Sequence, residues 1–174
     1  MALYQIWNAP APTTSKVVAV TSGANTLKTL LQVKPSATIT AKIKEWGFKC
    51  DAPASASLLS VELLETDVAA TVTAHVAAGI VKLDAAALRG GDPTTNLFPV
   101  GTTSTGYTAS GEGTIAATRV FDAVLNTIPS SNGYEFVKQF PLGLEPILDL
   151  SLFTRIRVQS LIAVNCLCYI TVEI

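Results

Sequence analysis

Arg155–Ile174, RIRVQSLIAVNCLCYITVEI, runs twenty residues without glycine or proline and is dominated by apolar and β-branched side chains. Ile156 and Val158, then Val164, Cys166, Cys168, Ile170 and Val172, fall on one parity, with Asn165, Tyr169, Thr171 and Glu173 on the other. That two-residue period predicts two strands, roughly 154–160 and 162–174, joined near Gln159 and Ser160 and burying one face each. A chain that ends inside its own core is expected to be a whole β-domain. The apolar part, Leu161–Val172, falls short of the ~20 residues a spanning helix needs. It also contains Asn165 and follows Arg155 and Arg157, so no membrane partner is expected.

Composition extends this reading. In 174 residues, 49% are hydrophobic and only 14% charged. A chain of this length buries roughly 70% of its unfolded surface and needs neither disulfides nor metals for stability. So little charge cannot cover an exterior. The surface is therefore either Ala, Thr, Ser and Gly, or apolar area that other subunits cover. The net charge of −1, with dispersed Lys and Arg, argues against nucleic acid, which requires a concentrated basic patch. The first residues, MALYQIWNAPAP, lack the basic and long apolar regions of a signal peptide. Cys50, Cys166 and Cys168 read as small buried hydrophobes in a reduced compartment, since a metal set brings a second pair or histidines.

Residues 1–15 carry Tyr4, Ile6 and Trp7 ahead of Pro10 and Pro12, and read as an extended N-terminal arm before a single domain, 16–174. The arm's aromatic end either folds back on its own domain or docks on a neighbour. Strands are predicted at 16–21 and 26–33, and at 38–51. In the last of these Ile39, Ala41 and Ile43 share one parity while Trp46, Phe48 and Cys50 share the other. A two-residue period cannot change faces unaided, so a β-bulge is predicted near Glu45–Gly47. Further strands are predicted at 58–65, 118–125 and 135–140, the last two joined by a turn over Pro129–Gly133. Residues 67–79 read as irregular with a short helix, and 85–113 as a long loop carrying Phe98 and Tyr107. The sum is an all-β chain, an antiparallel β-sandwich of jelly-roll type, with an immunoglobulin-like sandwich as the alternative.

The catalytic inventory does not assemble. His75 is the one histidine, too few for the histidine clusters of jelly-roll metalloenzymes, and it reads as a structural residue. Glu62 and Glu65 fall on opposite strand faces and read as solvent-facing charge rather than a glycosidase pair. Arg89–Pro93, RGGDP, is a turn, because phosphate loops require a strand-to-helix setting. Neither an enzyme nor a cofactor is expected.

Several blocks together resemble a family: Thr29–Val33 (TLLQV), Ile43–Gly47 (IKEWG), Ser60–Leu64 (SVELL), Phe136–Gly143 (FVKQFPLG) with Glu145-Pro146, and Arg155–Val158 (RIRV). They are similar to β-sandwich decoration, or cement, proteins of tailed-bacteriophage capsids. The resemblance implies a structural virion protein on the outer capsid surface, assembled in the host cytoplasm. It would form trimers at local symmetry axes and bridge copies of the major capsid protein. Expected contact residues are Tyr4, Ile6, Trp7, Phe98 and Tyr107. Removing residues 1–12 is expected to abolish capsid binding and leave a folded domain. The alternatives are a tail, neck or fibre-associated sandwich, or a carbohydrate-binding or adhesin module.

Overall fold

The computed structural model describes residues 2–10, 14, 17, 19–83 and 97–174. The predicted RGGDP turn and part of the predicted arm lie outside them. Twelve strands are described: β1 (Leu3–Trp7), β2 (Val20–Thr21), β3 (Lys28–Val33), β4 (Lys42–Cys50), β5 (Ser57–Thr66), β6 (Thr71–Ala74), β7 (Ile80–Lys82), β8 (Gly106–Gly111), β9 (Thr118–Ile128), β10 (Tyr134–Gln139), β11 (Phe153–Ser160) and β12 (Asn165–Glu173). They form two antiparallel sheets. One has the order β10-β4-β12-β1-β7, with β2 also paired to β12; the other has the order β6-β8-β3-β11-β5-β9. The C-terminal stretch divides between them, β11 into the second sheet and β12 into the first. Gln159 and Ser160 belong to β11, so the link lies later than expected, at 161–164.

The alternation of the sequence becomes two inner faces. Ile43, Trp46, Phe48, Cys166, Cys168, Ile170 and Val172 of the first sheet share one core with Leu31, Val33, Leu59, Val61, Leu63, Ile156 and Val158 of the second. The parity switch in β4 is a bulge one residue before the predicted span. Val172 pairs with Ile43 and Thr171 with Glu45, leaving Lys44 as the extra residue. Lys44 and Glu45 both face away from the core, after which Trp46 points in. At the open flank between β9 and β10, Trp46 Nε1 donates to Asp122 Oδ2 at 3.1 Å, and Lys138 Nζ donates to Oδ1 of the same carboxylate at 2.8 Å.

Of the two alternatives for the N-terminal segment, its aromatic end folds back on its own domain, and as a strand rather than an arm. β1 is an interior strand, paired with β12 from Leu3↔Glu173 to Trp7↔Tyr169 and with β7 on its other edge. Asn8 then continues the ladder with its side chain: its Nδ2 donates to the Cys166 carbonyl at 3.2 Å, and its Oδ1 accepts from the Cys168 N–H at 2.8 Å. Burying an amide is acceptable where its donors and acceptors are satisfied in this way. Asn8 thus fills the gap along β12 between β1 and β2.

The spans 67–79 and 85–113, expected to be irregular and looped, contain β6 and a 3-10 turn at Ala77–Gly79 in the first and β8 in the described part of the second, with β7 between them. β6 and β8 widen the second sheet beyond β3, while β7 widens the first beyond β1. The short-helix part of that expectation matches the 3-10 turn.

Candidate interaction surface

The loop between β10 and β11 is anchored from behind and apolar in front. Leu148 is buried, its N–H donating to the Ala41 carbonyl at 2.9 Å, and the Ile43 N–H donates to the Pro146 carbonyl at 2.9 Å. Glu145 accepts from Lys44 Nζ at 2.6 Å and from the Gly143 N–H at 2.7 Å, with Gly143 at φ +85°. The Lys44 ammonium holds the Glu145 carboxyl down to about 2. Asp149 donates its N–H to Glu65 at 2.8 Å and accepts from Ser151 N–H and Oγ. From this frame Leu142 projects at 90% exposure and Leu144 at 73%, with Ile147 and Leu150 also exposed. A single exposed leucine is ordinary, whereas four large apolar side chains within nine residues on one pinned loop make this loop the candidate interaction surface. A shallow cleft lies beside them, bounded by Ile39, Thr40, Arg119 and residues 147–151.

The five residues expected to make contacts do not form one surface. Tyr4, Ile6 and Phe98 are buried in the sandwich core, with the Tyr4 and Phe98 rings edge to face at 6.3 Å. Burial removes all three from any partner of this fold, which corrects the expectation. Tyr107, half-buried on β8, packs edge-on to His75 at 5.3 Å. Trp7 remains accessible on the outer face of the first sheet, its ring 4.8 Å from that of Tyr169. Around this pair lie polar groups. Trp7 Nε1 donates to Gln5 at 3.1 Å, Tyr169 Oη donates to Glu45 at 2.5 Å, and Gln139 Nε2 donates to the other Glu45 oxygen at 2.8 Å.

Gly47 permits the stack, because a Cβ there would lie 2.4 Å from Tyr169 Cε1. The ring is held on its other sides by Trp7 and Glu45 and cannot retreat without breaking those contacts. Gly47→Ala is therefore expected to cost about 1–3 kcal/mol, the usual penalty of overpacking, read as a lower urea midpoint at unchanged m-value.

His75 is fully buried at the end of β6. Its Nδ1 accepts the Val76 N–H at 3.1 Å, which leaves the proton on Nε2 to be donated to the Trp7 carbonyl at 2.9 Å. The histidine thus ties the inserted strands to the end of β1. Burial pushes its pKa below the ordinary 6.5. In the unfolded chain His75 takes up a proton near pH 6.5, while the folded chain resists it, so stability falls as the pH drops below 6.5 toward the folded value. Chemical denaturation between about pH 6.5 and 5 is expected to show this loss at up to about 1.4 kcal/mol per pH unit. His75→Gln should remove that component.

Glu62 and Glu65 are each held by an arginine. Glu62 is bound by Arg157 at 2.8 Å. Glu65, expected at the solvent, is instead fully buried, where it binds Arg119 and accepts from Asp149 N–H and Thr154 Oγ1. The sandwich end closes over it, and a buried carboxylate needs such partners. Among the described residues no three His, Cys, Asp or Glu side chains converge as a metal site. No described helix is long and apolar enough to cross a membrane. No protein-family model matches the chain, and no curated protein matches it.

Proposed function

We propose that this chain is a structural virion protein that decorates a phage capsid, and that the 141–150 loop is its lattice-binding element. The observation that carries the reading is the pinned loop with Leu142, Leu144, Ile147 and Leu150 exposed. Anchoring spends the ordering entropy before binding, so contact by a rigid apolar tip retains more of its energy as affinity. The strand orders support a jelly-roll reading of the sandwich. Setting aside β2 and the inserted β6, β7 and β8, the sheets read β10-β4-β12-β1 and β9-β5-β11-β3, and β9 through β12 alternate between them. Two interleaved Greek keys have that order, and jelly rolls recur in viral capsid domains.

The mechanism is linkage. A protein that binds the expanded lattice and not its precursors stabilises it by RT ln(1 + [L]/Kd) per site, about 2.7 kcal/mol at a hundredfold excess over Kd. Many sites act together. Leu142→Asp with Leu144→Asp is expected to weaken co-sedimentation with undecorated capsids by at least about 30-fold, the loss of one interface hot spot. Circular dichroism should show the fold intact, because both side chains lie outside the core. Capsid binding at wild-type strength by the folded variant would refute the loop assignment. Light scattering is expected to give about three times the 18.2 kDa chain mass if trimers form before docking.

One observation favours a second reading, a carbohydrate-binding module. The Trp7–Tyr169 stack beside Gln5, Glu45 and Gln139 combines an aromatic face with polar partners, as sugar recognition requires. Glycan-array binding that disappears with Trp7→Ala would support it over decoration.

A further inference from the structure

Cys50 and Cys166 are direct partners in the β4–β12 ladder. The neighbouring pair, Asp51 and Asn165, is joined by the Asp51 N–H donating to the Asn165 carbonyl at 3.0 Å. In an antiparallel ladder hydrogen-bonded and non-hydrogen-bonded pairs alternate, so Cys50 and Cys166 occupy a non-hydrogen-bonded position. There Cα atoms lie roughly 4.5 Å apart and the side chains stand side by side on one face. That spacing falls within the disulfide range of about 4.4–6.8 Å. Cys168 is excluded as a partner by the same geometry. It pairs with Phe48, leaving Cys50 on the diagonal at roughly 7–8 Å, and it is two residues from Cys166 along one strand.

We propose that Cys50 and Cys166 are a modification site, a thiol pair that closes into a cross-strand disulfide when the protein meets a small-molecule disulfide. Cys50 is the point of attack. It is 8% exposed at a cleft bounded by Ala19, Lys49, Asp51, Asn165 and Leu167, whereas Cys166 is fully enclosed. The Cys50 thiolate attacks the reagent's S–S bond, forming a mixed disulfide and expelling one reagent thiol. The Cys166 sulfur then attacks Cys50 Sγ and expels the second. Two S–H bonds and the reagent's S–S bond are consumed, one protein S–S bond forms, and two reagent thiols carry away the protons and electrons. Burial raises the pKa of both cysteines, so the thiolate is scarce and closure is slow at neutral pH, faster at alkaline pH. The inference does not depend on the virion reading.

The bond would join positions 116 residues apart, β4 to the C-terminal strand, and so restrict most of the unfolded chain. The test incubates the intact protein with oxidised glutathione at mildly alkaline pH, blocks remaining thiols in denaturant, and reads the product by intact mass and by fragmentation of its tryptic peptides. The expected product is a monomer lacking two hydrogens, with Cys50 joined to Cys166, Cys168 alkylated, and a thermal midpoint raised by about 5–15 °C that dithiothreitol reverses. Cys168→Ser should oxidise in the same way. A link through Cys168, a glutathione adduct that stops at Cys50, an intermolecular dimer, or thiols that stay free would each overturn the proposal.

Discussion

Deleting residues 1–8 is expected to abolish cooperative folding. The removed segment supplies a strand hydrogen-bonded on both edges, to β12 and to β7, together with the buried side chains of Tyr4 and Ile6. Removing one large apolar core side chain costs about 2–5 kcal/mol, and two of them already consume much of the 5–15 kcal/mol by which a domain is stable. The backbone of β12 from 169 to 173 would lose one of its two partner strands and keep only β4. Asn8 would no longer satisfy Cys166 and Cys168, and His75 Nε2–H would lose the Trp7 carbonyl. Circular dichroism with limited proteolysis of residues 9–174 should show no cooperative melt. A fragment that melts within a few degrees of the intact chain would return these residues to the role of a detachable arm. The outcome also means that truncation cannot test capsid docking, because loss of binding would follow from loss of fold.

Glu112→Ala is expected to destabilise the protein by about 3–5 kcal/mol, and more than Arg155→Met does. Arg155 lies on the outer side of the second sheet yet is fully buried under the 67–70 and 112 segments, where Nη2 donates to the Val68 carbonyl and Nη1 to Glu112 Oε2 at 3.2 Å. Glu112 also accepts from Thr29 N–H and Oγ1, at 2.5 and 2.6 Å. The two partners are unequal. Glu112 keeps 22% of its side-chain surface and can recover water, whereas the guanidinium cannot, and burial already presses the Arg155 pKa downward. Removing the carboxylate therefore leaves the buried cation bonded only to the backbone carbonyls of Val68 and residue 112, while Met keeps the volume and removes the charge. Urea midpoints of the two variants and of the double variant give the coupling energy. Equal losses in the single variants would contradict the asymmetry.

What could be read from the sequence was whatever depends on local period. The strands at 153–160 and 165–173, the turn after β9, and the face switch in β4 all follow from which side each side chain must take. The bulge falls one residue before its predicted span because Lys44 and Glu45 are both polar, and polarity brackets a switch between Ile43 and Trp46 without locating it. Leu3–Trp7 alternates, yet Pro10 and Pro12 suggest extended, weakly paired chain, so an interior strand whose partner lies more than 160 residues away reads as an arm that folds back or docks. Glu65 illustrates the same limit. A carboxylate on a strand reads as solvent-facing until a cation from another strand, Arg119, is known to meet it. β6, β7 and β8 are three to six residues each, with pairings no local pattern reports. The apolar loop is absent from the sequence reading, although PLGLEPILDL sets large hydrophobes among turn-forming residues, because only the fold tells which of them lie outside the core.

The most direct test of the proposed capsid role is a density map of phage particles assembled with this chain. The account predicts a two-sheet density on the outer capsid at local symmetry axes, with residues 141–150 seated against the major capsid protein. Density for the chain in the tail or neck, or a capsid-bound copy whose 141–150 loop faces solvent, would contradict it.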